Sequence, residues 1–565
     1  MSQDWYQIRS ELQARLQGEP GDVVSWSNLA YAQLRCGATE QARLAAEHAL
    51  NLDDRHVAAW VNLGASHLQA RRLEDAEEAA RTAIELDPGD ASSHLFASHV
   101  ARETGQISQA QDALLTAVRL DPRHADAWSQ LALVQMELGL PTQALASINR
   151  ALEIEPSELR YHSNRMMVAQ YHPELDSQAL REMALRFGRQ LTDSPLPPPP
   201  SKPGTGPLRV AYLSPDFYAH PVGYLLRNVL TAHDPVQVEA SLWDLRPGND
   251  WLSEEYRALD LPWRDVGGLS DQALAEALRA AEIDVLVDLA GHTAHNRLGV
   301  LARRPARLQL SFLGWFGAIG APGLDALLMG EDQLPAGHEH GFAEAVHALP
   351  GSHFRYRPLP YAPEPDLTRK PGPLRLGCFN NTAKLQSEVL DAWAEILRAL
   401  PEAELELRWK TLADAHVRTS LSRRFQAAGV EPQRLRLLGA CGHEELLRAY
   451  RQIDLALDPF PFSGGMTSLE ALSMGVPVIT LAQLRPVSRQ THSMLKALGL
   501  AELSTTRVRD YVDTAVELGR DATRRHALRA RLIDGYASSP LADAGSLAAN
   551  LETAYLKLLD RLDGR

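Results

Sequence analysis

The sequence predicts an α-helical repeat array followed by two α/β halves, each built on a parallel sheet, that face a shared cleft. Three observations carry this prediction. The first part of the chain repeats with the step that separates Trp26 from Trp60 and Asp53 from Asp87, 34 residues. A proline-rich run, "DSPLPPPPSKPGTGP" (193–207), then interrupts the chain. Beyond it, short continuous apolar runs alternate with amphipathic segments.

In the repeats, Trp26, Trp60, His94 and Trp128 share one phase. So do Ala42, Ala76, Ala110 and Ala144, and again Ala49, Ala83, Ala117 and Ala151. The ends "LDD", "LDP", "LDP" and "IEP" place Asp53, Asp87, Asp121 and Glu155 in a further column. A large residue opens each first helix, alanines let helices pack closely, and Pro88, Pro122 and Pro156 stop each second helix. The pattern resembles the tetratricopeptide repeat, in four or five copies. Such arrays present a face to extended peptides or partner helices. Asn28, Asn62, Phe96 and Gln130 form one column, whose amides are candidates for holding a peptide backbone and which Phe96 breaks. A purely structural or dimer-forming array is the alternative.

From Ser157 to Thr192 the pattern stays helical but loses the repeat phase, and the prolines that follow form an extended linker. "LRVAYLS" (208–214), "VEASLWDL" and "IDVLVDLAG" read as strands, with "VGYLLRNVL" and "SDQALAEALRAA" as helices between them. Residues 324–373 read as irregular. The alternation restarts with "LRLGCFN", "SEVLDAWAEILRAL", "AELELRW", "RLRLLG", "EELLRAYRQ" and "IDLALD". Continuous apolar strands alternating with helices indicate parallel sheets covered on both faces. The expected division is 1–162 for the array, 163–206 for a helical and proline-rich linker, 207–373 for the first Rossmann-like domain, and 374–565 for the second with terminal helices.

Composition excludes several classes. No apolar run reaches the ~18–20 residues of a membrane span, and "MSQDWYQIRS" lacks the form of a secretory signal. Cys36, Cys378 and Cys441 are the three cysteines, far apart and without CxxC spacing. That fits a reducing, cytoplasmic compartment and no sequence-visible zinc motif. A net charge of −14 without a basic stripe argues against nucleic acid as the partner. Neither half carries GxGxxG or GxxxxGK[ST], so a dinucleotide dehydrogenase and a P-loop NTPase are disfavoured.

Ligands of such sheets bind at the C-terminal ends of the strands. The first strand exits through "SPDFYAHPVGYLL", which brings Asp216 and His220 to a helix start; a neutral His there can take a proton or hold an acceptor hydroxyl. "GHTAHNR" offers His292 and His295 as further cleft residues. In the second half, "CFNNTAKLQSE" brings Asn380, Asn381 and Lys384 to a strand exit, where a lysine can offset the charge of a departing phosphate. The last exit is "LALDPFPFSGGMTSLEALSMGVPVIT" (455–480). A helix mouth carries unpaired N–H groups and about half a positive charge. Gly464 and Gly465 would let backbone approach a phosphate, Thr467 and Ser468 would add hydroxyls, and Glu470, one turn on, would accept from a ribose. Asp-x-Asp is absent, so nothing in the sequence requires a divalent metal.

The repeats joined to "RVAYLSPDFYAHPVGYLL", "LGCFNNTAKLQSEVLDAWAEIL" and "DLALDPFPFSGGMTSLEALSMGVPVIT" resemble the O-linked N-acetylglucosamine transferase family, glycosyltransferase family 41, in a short bacterial-type form. The resemblance covers nearly the whole chain. It implies a GT-B fold, UDP-N-acetylglucosamine as donor, an inverting reaction without a metal or other cofactor, and Ser/Thr hydroxyls of intracellular proteins as acceptors. His220 matches the acceptor-side His and Asp216 a proton-relay candidate. Lys384 matches the essential diphosphate Lys and Asn381 a Gln beside it. Thr467 matches one of two phosphate-holding Thr; Met466 replaces the other, leaving its N–H, and Gly465 replaces a His. Glu470 matches the ribose carboxylate, His443 a ribose-contacting Lys, Cys441 a position whose backbone holds uracil, and Arg448 a uracil-side Arg. A further family His corresponds to Phe187, which leaves a donor phosphate oxygen as an alternative base. Related enzymes that use GDP-fucose or transfer glucose from UDP-glucose, and a catalytically inactive scaffold, are the alternatives.

Overall fold

A computed structural model describes residues 5–191, 206–246, 248–367 and 372–564. Most of the proline-rich linker, 193–205, lies outside these residues. The chain divides into two compact units, Met1–Glu158 with Lys410–Thr419, and Leu159–Trp409 with Ser420–Arg565.

In the first unit, α1 (Trp5–Gly18) precedes four helix pairs: α2 (Val23–Arg35) and α3 (Thr39–Leu52), α4 (Val57–Gln69) and α5 (Leu73–Leu86), α6 (Ala91–Glu103) and α7 (Ile107–Leu120), and α8 (Ala125–Glu137) and α9 (Pro141–Ile154). Each sequence column has a physical job. The indole N–H of Trp26, Trp60 and Trp128 donates to a carbonyl six residues back, of Pro20, Asp54 and Pro122, at 2.8, 2.8 and 3.1 Å. His94 makes the equivalent bond to Pro88 O through Nε2 at 3.1 Å, which is why a histidine holds that place. The two alanine columns are fully buried, since a larger side chain would push the helices apart. Asp22, His56, Asp90 and His124 cap the first helix of each pair. The turns place Gly37, Gly105 and Gly139 at φ near +75°, and Arg71 occupies the same turn position at φ +60°. The short segment Lys410–Thr419 belongs to this unit through Asp414, whose carboxylate accepts the Ser108 N–H at 2.8 Å.

The amide column is not the open peptide holder that the sequence suggests. Asn62 is buried and spends its Nδ2 on the Ser27 carbonyl and hydroxyl, at 2.9 and 3.1 Å. Phe96 fills the space left by Gly64, where a Cβ would lie 2.5 Å from the Phe96 ring. An open groove of about 560 Å³ lies instead over the first repeats, lined by Leu16, Trp26, Leu29, Leu44 and His48 among others.

The second unit opens with α10 (Leu159–Tyr171) and α11 (Ser177–Leu191). The first lobe follows: β1 (Leu208–Ser214), α12 (Pro221–Leu230), β2 (Val238–Asp244), α13 (Trp251–Arg257), β3 (Trp263–Asp265), α14 (Asp271–Ala280), β4 (Val285–Asp288), α15 (Leu298–Leu301), β5 (Leu308–Phe312), β6 (Ala326–Gly330) and β7 (Ala345–Leu349). All pairs are parallel, in the order β3-β2-β1-β4-β5-β6-β7. Residues 324–373, expected to be irregular, therefore supply two strands. β6 is wholly buried and five residues long, so its sequence "ALLMG" carries no alternation to mark it.

The second lobe holds β8 (Arg375–Cys378), α16 (Ser387–Ala399), β9 (Glu404–Arg408), α17 (Ala415–Ala427), β10 (Leu435–Leu438), α18 (His443–Tyr450), β11 (Leu455–Leu457), α19 (Met466–Ser473), β12 (Val478–Leu481), α20 (Gln490–Ala497), β13 (Ser504–Thr505), α21 (Val508–Arg520), α22 (Ala522–Gly535) and α23 (Ala544–Leu562). Its parallel order is β10-β9-β8-β11-β12-β13. The last helix departs from the expected division at residue 374: α23 packs on α12, β5 and β7 of the first lobe. There Glu552 accepts from His233 Nδ1 at 2.8 Å, and the Tyr212 hydroxyl meets both His233 Nε2 and the Tyr555 hydroxyl, at 2.7 and 2.9 Å. No helix among the described residues is long and apolar enough to cross a membrane.

Candidate active site

Both sheets change direction beside their first strands, β1/β4 and β8/β11, so the strand exits there open toward a ligand. In the second lobe three of these exits converge. Lys384, just past β8, is buried, and its Nζ donates to Asn380 Oδ1 (3.1 Å) and to the Ser463 carbonyl (2.8 Å). It lies 4.5 Å from the Phe462 ring centroid, a cation–π contact. Thr467, in the first turn of α19, donates its hydroxyl to the same Asn380 Oδ1 at 2.9 Å. One amide oxygen thus ties the lysine to the helix mouth. Burial lowers the Lys384 pKa to about 8, against the opposing charges of Asp458 and Cys378.

At the helix mouth, the Ser468 and Leu469 N–H groups already turn back to the Gly465 carbonyl. The earlier first-turn amides, of Met466 and Thr467, have no carbonyl one turn back to bond within the helix. Gly465 caps the helix at φ −112°, ψ −98°. Two expectations are corrected here. Gly464 does not offer its N–H to a ligand: that group donates to Asp458 Oδ1 at 2.6 Å, and a Cβ on Gly464 would meet Ser468 Oγ at 2.1 Å. Ser468 is buried with its hydroxyl against Thr491 Oγ1 at 2.8 Å, so it braces the loop and faces no ligand. Asp458, which also accepts from Thr480 Oγ1 at 2.7 Å, is the hub of this bracing.

Glu470, one turn into α19, is 3% exposed. Its Oε1 accepts from His443 Nε2 at 2.7 Å, while Oε2 is buried without a partner. His443, the first residue of α18, is held in turn by the Tyr361 hydroxyl at Nδ1, 2.7 Å away. The Tyr224 ring of the first lobe stacks on His443 at 5.4 Å and 16°. Cys441 accepts from Arg408 Nη1 at 3.4 Å in the loop before α18. Arg448 is not brought into the group; its largely exposed guanidinium pairs with Glu444 on the outer face of α18. Asn381 caps the turn at Thr382–Lys384 by accepting the Ala383 N–H at 3.0 Å, and its neighbour Asn380 is the residue that joins the site.

In the first lobe, His220 and Asp216 sit together as expected, Nδ1 to Oδ2 at 3.5 Å. His220 Nδ1 also accepts the Val222 N–H at the start of α12, 3.3 Å, leaving Nε2 for a substrate. Burial holds His220 below the ordinary histidine range, with Arg246 adding to the effect. Burial raises Asp216 to about 7, with Asp244 and Asp288 adding to it. The other histidines do not line a cleft in the way expected. His292 is 2% exposed, its ring bonded at Nδ1 to Ser163 Oγ (3.1 Å) and at Nε2 to the Ile319 carbonyl (2.8 Å). His295 is exposed, at φ +62°. Phe187 is a core residue, edge-on to His292 at 4.7 Å. Sequence reasoning assigned no role to Tyr224, Tyr361, Asp458 or Phe462. Asp458 had a visible signal, an acid at a strand exit; Tyr361 had none.

Two parallel-sheet lobes, with a buried lysine, a helix mouth and a half-free buried carboxylate at one strand-exit face, define a two-lobed α/β group-transfer enzyme. The chain belongs to glycosyl transferase family 41, whose model matches residues 162–355 and 374–551. Tetratricopeptide repeat models match 57–90 and 97–158. The chain is 32% identical over 364 residues to the probable UDP-N-acetylglucosamine–peptide N-acetylglucosaminyltransferase SPINDLY of Petunia hybrida, covering 63% of this chain and 39% of that one. Its counterpart in Arabidopsis thaliana is 33% identical over 359 residues, covering 62% and 39%. The match thus spans about two fifths of the length of these plant relatives. Among solved structures, a mutant O-GlcNAc transferase of Thermobaculum terrenum superposes with a TM-score of 0.82 at 34% identity, covering 90% of this chain and 98% of that one.

Proposed function

We propose that the protein transfers N-acetylglucosamine from UDP-N-acetylglucosamine to Ser or Thr hydroxyls of proteins, with inversion and without a metal. The observation that carries the reading is the Lys384–Asn380–Thr467 linkage at the mouth of α19, with the half-free Glu470 one turn behind it. The plant relatives, named as probable UDP-N-acetylglucosamine–peptide N-acetylglucosaminyltransferases, support the donor and the peptide acceptor, and the Thermobaculum O-GlcNAc transferase supports the sugar. The acceptor hydroxyl attacks the anomeric carbon from the face opposite the diphosphate. The C–O bond to UDP breaks as the new glycosidic bond forms, which inverts the centre. Lys384 and the Met466 and Thr467 amides stabilise the charge gathering on UDP; this replaces a divalent cation. Glu470 Oε2 holds the ribose. His220 Nδ1 is engaged at the start of α12, so His220 positions a substrate oxygen through Nε2, and a donor phosphate oxygen takes the acceptor proton. The apolar groove of the repeat unit is a docking surface for acceptor proteins.

The test uses the purified chain with UDP-N-acetylglucosamine, UDP-glucose and GDP-fucose, with and without a Ser/Thr peptide and with EDTA. UDP release that needs the peptide and survives EDTA is expected. Selective stabilisation and turnover by GDP-fucose would overturn the donor, and no nucleotide release from any donor would leave the scaffold alternative standing.

A further inference from the structure

Glu470 lies at the end of a chain of polar groups that starts at Tyr361, on the strap between β7 and β8. The Tyr224 ring of α12 covers the His443 imidazole, centroid to centroid at 5.4 Å. Tyr361 contacts His443 Nδ1 at 2.7 Å, and His443 Nε2 contacts Glu470 Oε1 at 2.7 Å. Chemistry fixes the direction of these bonds. The Glu470 carboxylate accepts only, so His443 carries its proton on Nε2. With the ring proton held at Nε2, Nδ1 presents a lone pair, and Tyr361 donates to it. The rings hold the same order: Tyr224 lies face to face with His443, and Trp251 packs edge-on against Tyr361 at 5.6 Å.

We propose that Tyr361, with the Tyr224 ring stacked on the imidazole, is a positioning residue for the ribose of the donor, locking His443 in one tautomer so that Glu470 Oε1 is occupied and Oε2 alone faces the sugar hydroxyls. The proposal rests on the nucleotide-sugar reading above. It adds that a strap residue between the two sheets, together with a first-lobe helix, sets the selectivity of a carboxylate in the second lobe. Tyr224 lies on α12, Tyr361 between β7 and β8, His443 on α18 and Glu470 on α19. With the tyrosine hydroxyl gone, Nδ1 loses its donor, the imidazole is free to exchange tautomers and turn, and both carboxylate oxygens lose their fixed roles.

Tyr361→Phe and Tyr224→Phe remove one oxygen each and keep the rings. Calorimetry on the full chain would measure binding of UDP, 2′-deoxy-UDP, GDP and 2′-deoxy-GDP to wild type and both variants. In wild type the ribonucleotide of the preferred base is expected to bind about tenfold tighter than its deoxy form, the size of one hydrogen bond to a charged group. In Tyr361→Phe this ratio falls to within about twofold, with the deoxy form bound as before, whereas Tyr224→Phe, which keeps the stacked ring, leaves the ratio as in wild type. A Tyr361 that merely packed would, on substitution, weaken both forms equally and leave the ratio unchanged; that result overturns the proposal while wild-type binding keeps the parent reading alive. If wild type binds none of the four nucleotides, the parent reading falls, and this one with it.

Discussion

Lys384 is the residue on which the proposed transfer turns, and its charge state gives two expectations. Removing it deletes the cation that, in the proposed reaction, faces the leaving group, while leaving strand β8 and helix α16 intact. Lys384→Ala is expected to lower kcat by about 10²–10³-fold, the typical loss of one such donor, with an unchanged circular dichroism spectrum. Normal transfer by that variant would remove the leaving-group role. The second expectation concerns pH. Burial lowers the Lys384 pKa to about 8, so in the ligand-free protein the cation is present below that value and lost above it. Affinity for a nucleoside diphosphate should therefore decline as pH rises through about 8, and calorimetry between pH 6.5 and 9.5 reads it. Lys384→Arg, which stays charged throughout, should lose this alkaline limb whatever it does to absolute affinity. How much of the site was legible differed from residue to residue. Lys384, Thr467 and Glu470 stand at strand exits and a glycine-marked helix mouth, features that sequence displays. The work of Gly464 and Ser468 was misjudged because a glycine needed for packing and a glycine needed for a ligand look alike in sequence. Tyr361 was invisible, since its role depends on a strap that only the folded chain brings to His443.

At the scale of elements, the repeats show how a column can bend without breaking. His94 keeps the helix-to-loop bond of the tryptophans it replaces, and Phe96 occupies the room that Gly64 vacates. Arg71 is the member that carries a cost. It holds the left-handed backbone that Gly37, Gly105 and Gly139 adopt freely. Its ion pair with Glu103 is exposed and so adds little. Arg71→Gly is expected to stabilise the repeat unit by about 0.5–1 kcal/mol, seen as a rise in Tm. A fall in Tm would show that the ion pair outweighs the backbone term. The repeats were legible because four columns recur in phase. The first sheet was legible only in part, since β5, β6 and β7 are short, and β5 and β6 are buried on both faces, which leaves no alternation to find.

Over the whole molecule, the polar knot of His233, Glu552, Tyr212 and Tyr555 fastens the end of the chain to the lobe built from its middle. Glu552 also accepts the Asp234 N–H at 3.0 Å. Glu552→Ala would leave that N–H and the buried His233 Nδ1 without their partner, and should cost about 1–3 kcal/mol in a denaturant titration. Protease trimming of α23 should increase with it. A variant as stable as wild type would mean that water replaces the carboxylate. The sequence offers no warning of this clasp, because nothing local in "LAANLETAYLKLLD" says which lobe it covers.

That placement has a consequence for synthesis. Domains emerging from a ribosome ordinarily fold in the order in which they are made. Here the earlier lobe lacks a covering helix until α23 is translated, while the later lobe's own strands are complete by β13. The order of completion is therefore reversed relative to the order of translation: the half that would hold the nucleotide can close first, and the half that would hold the acceptor is finished only once α23 has left the ribosome.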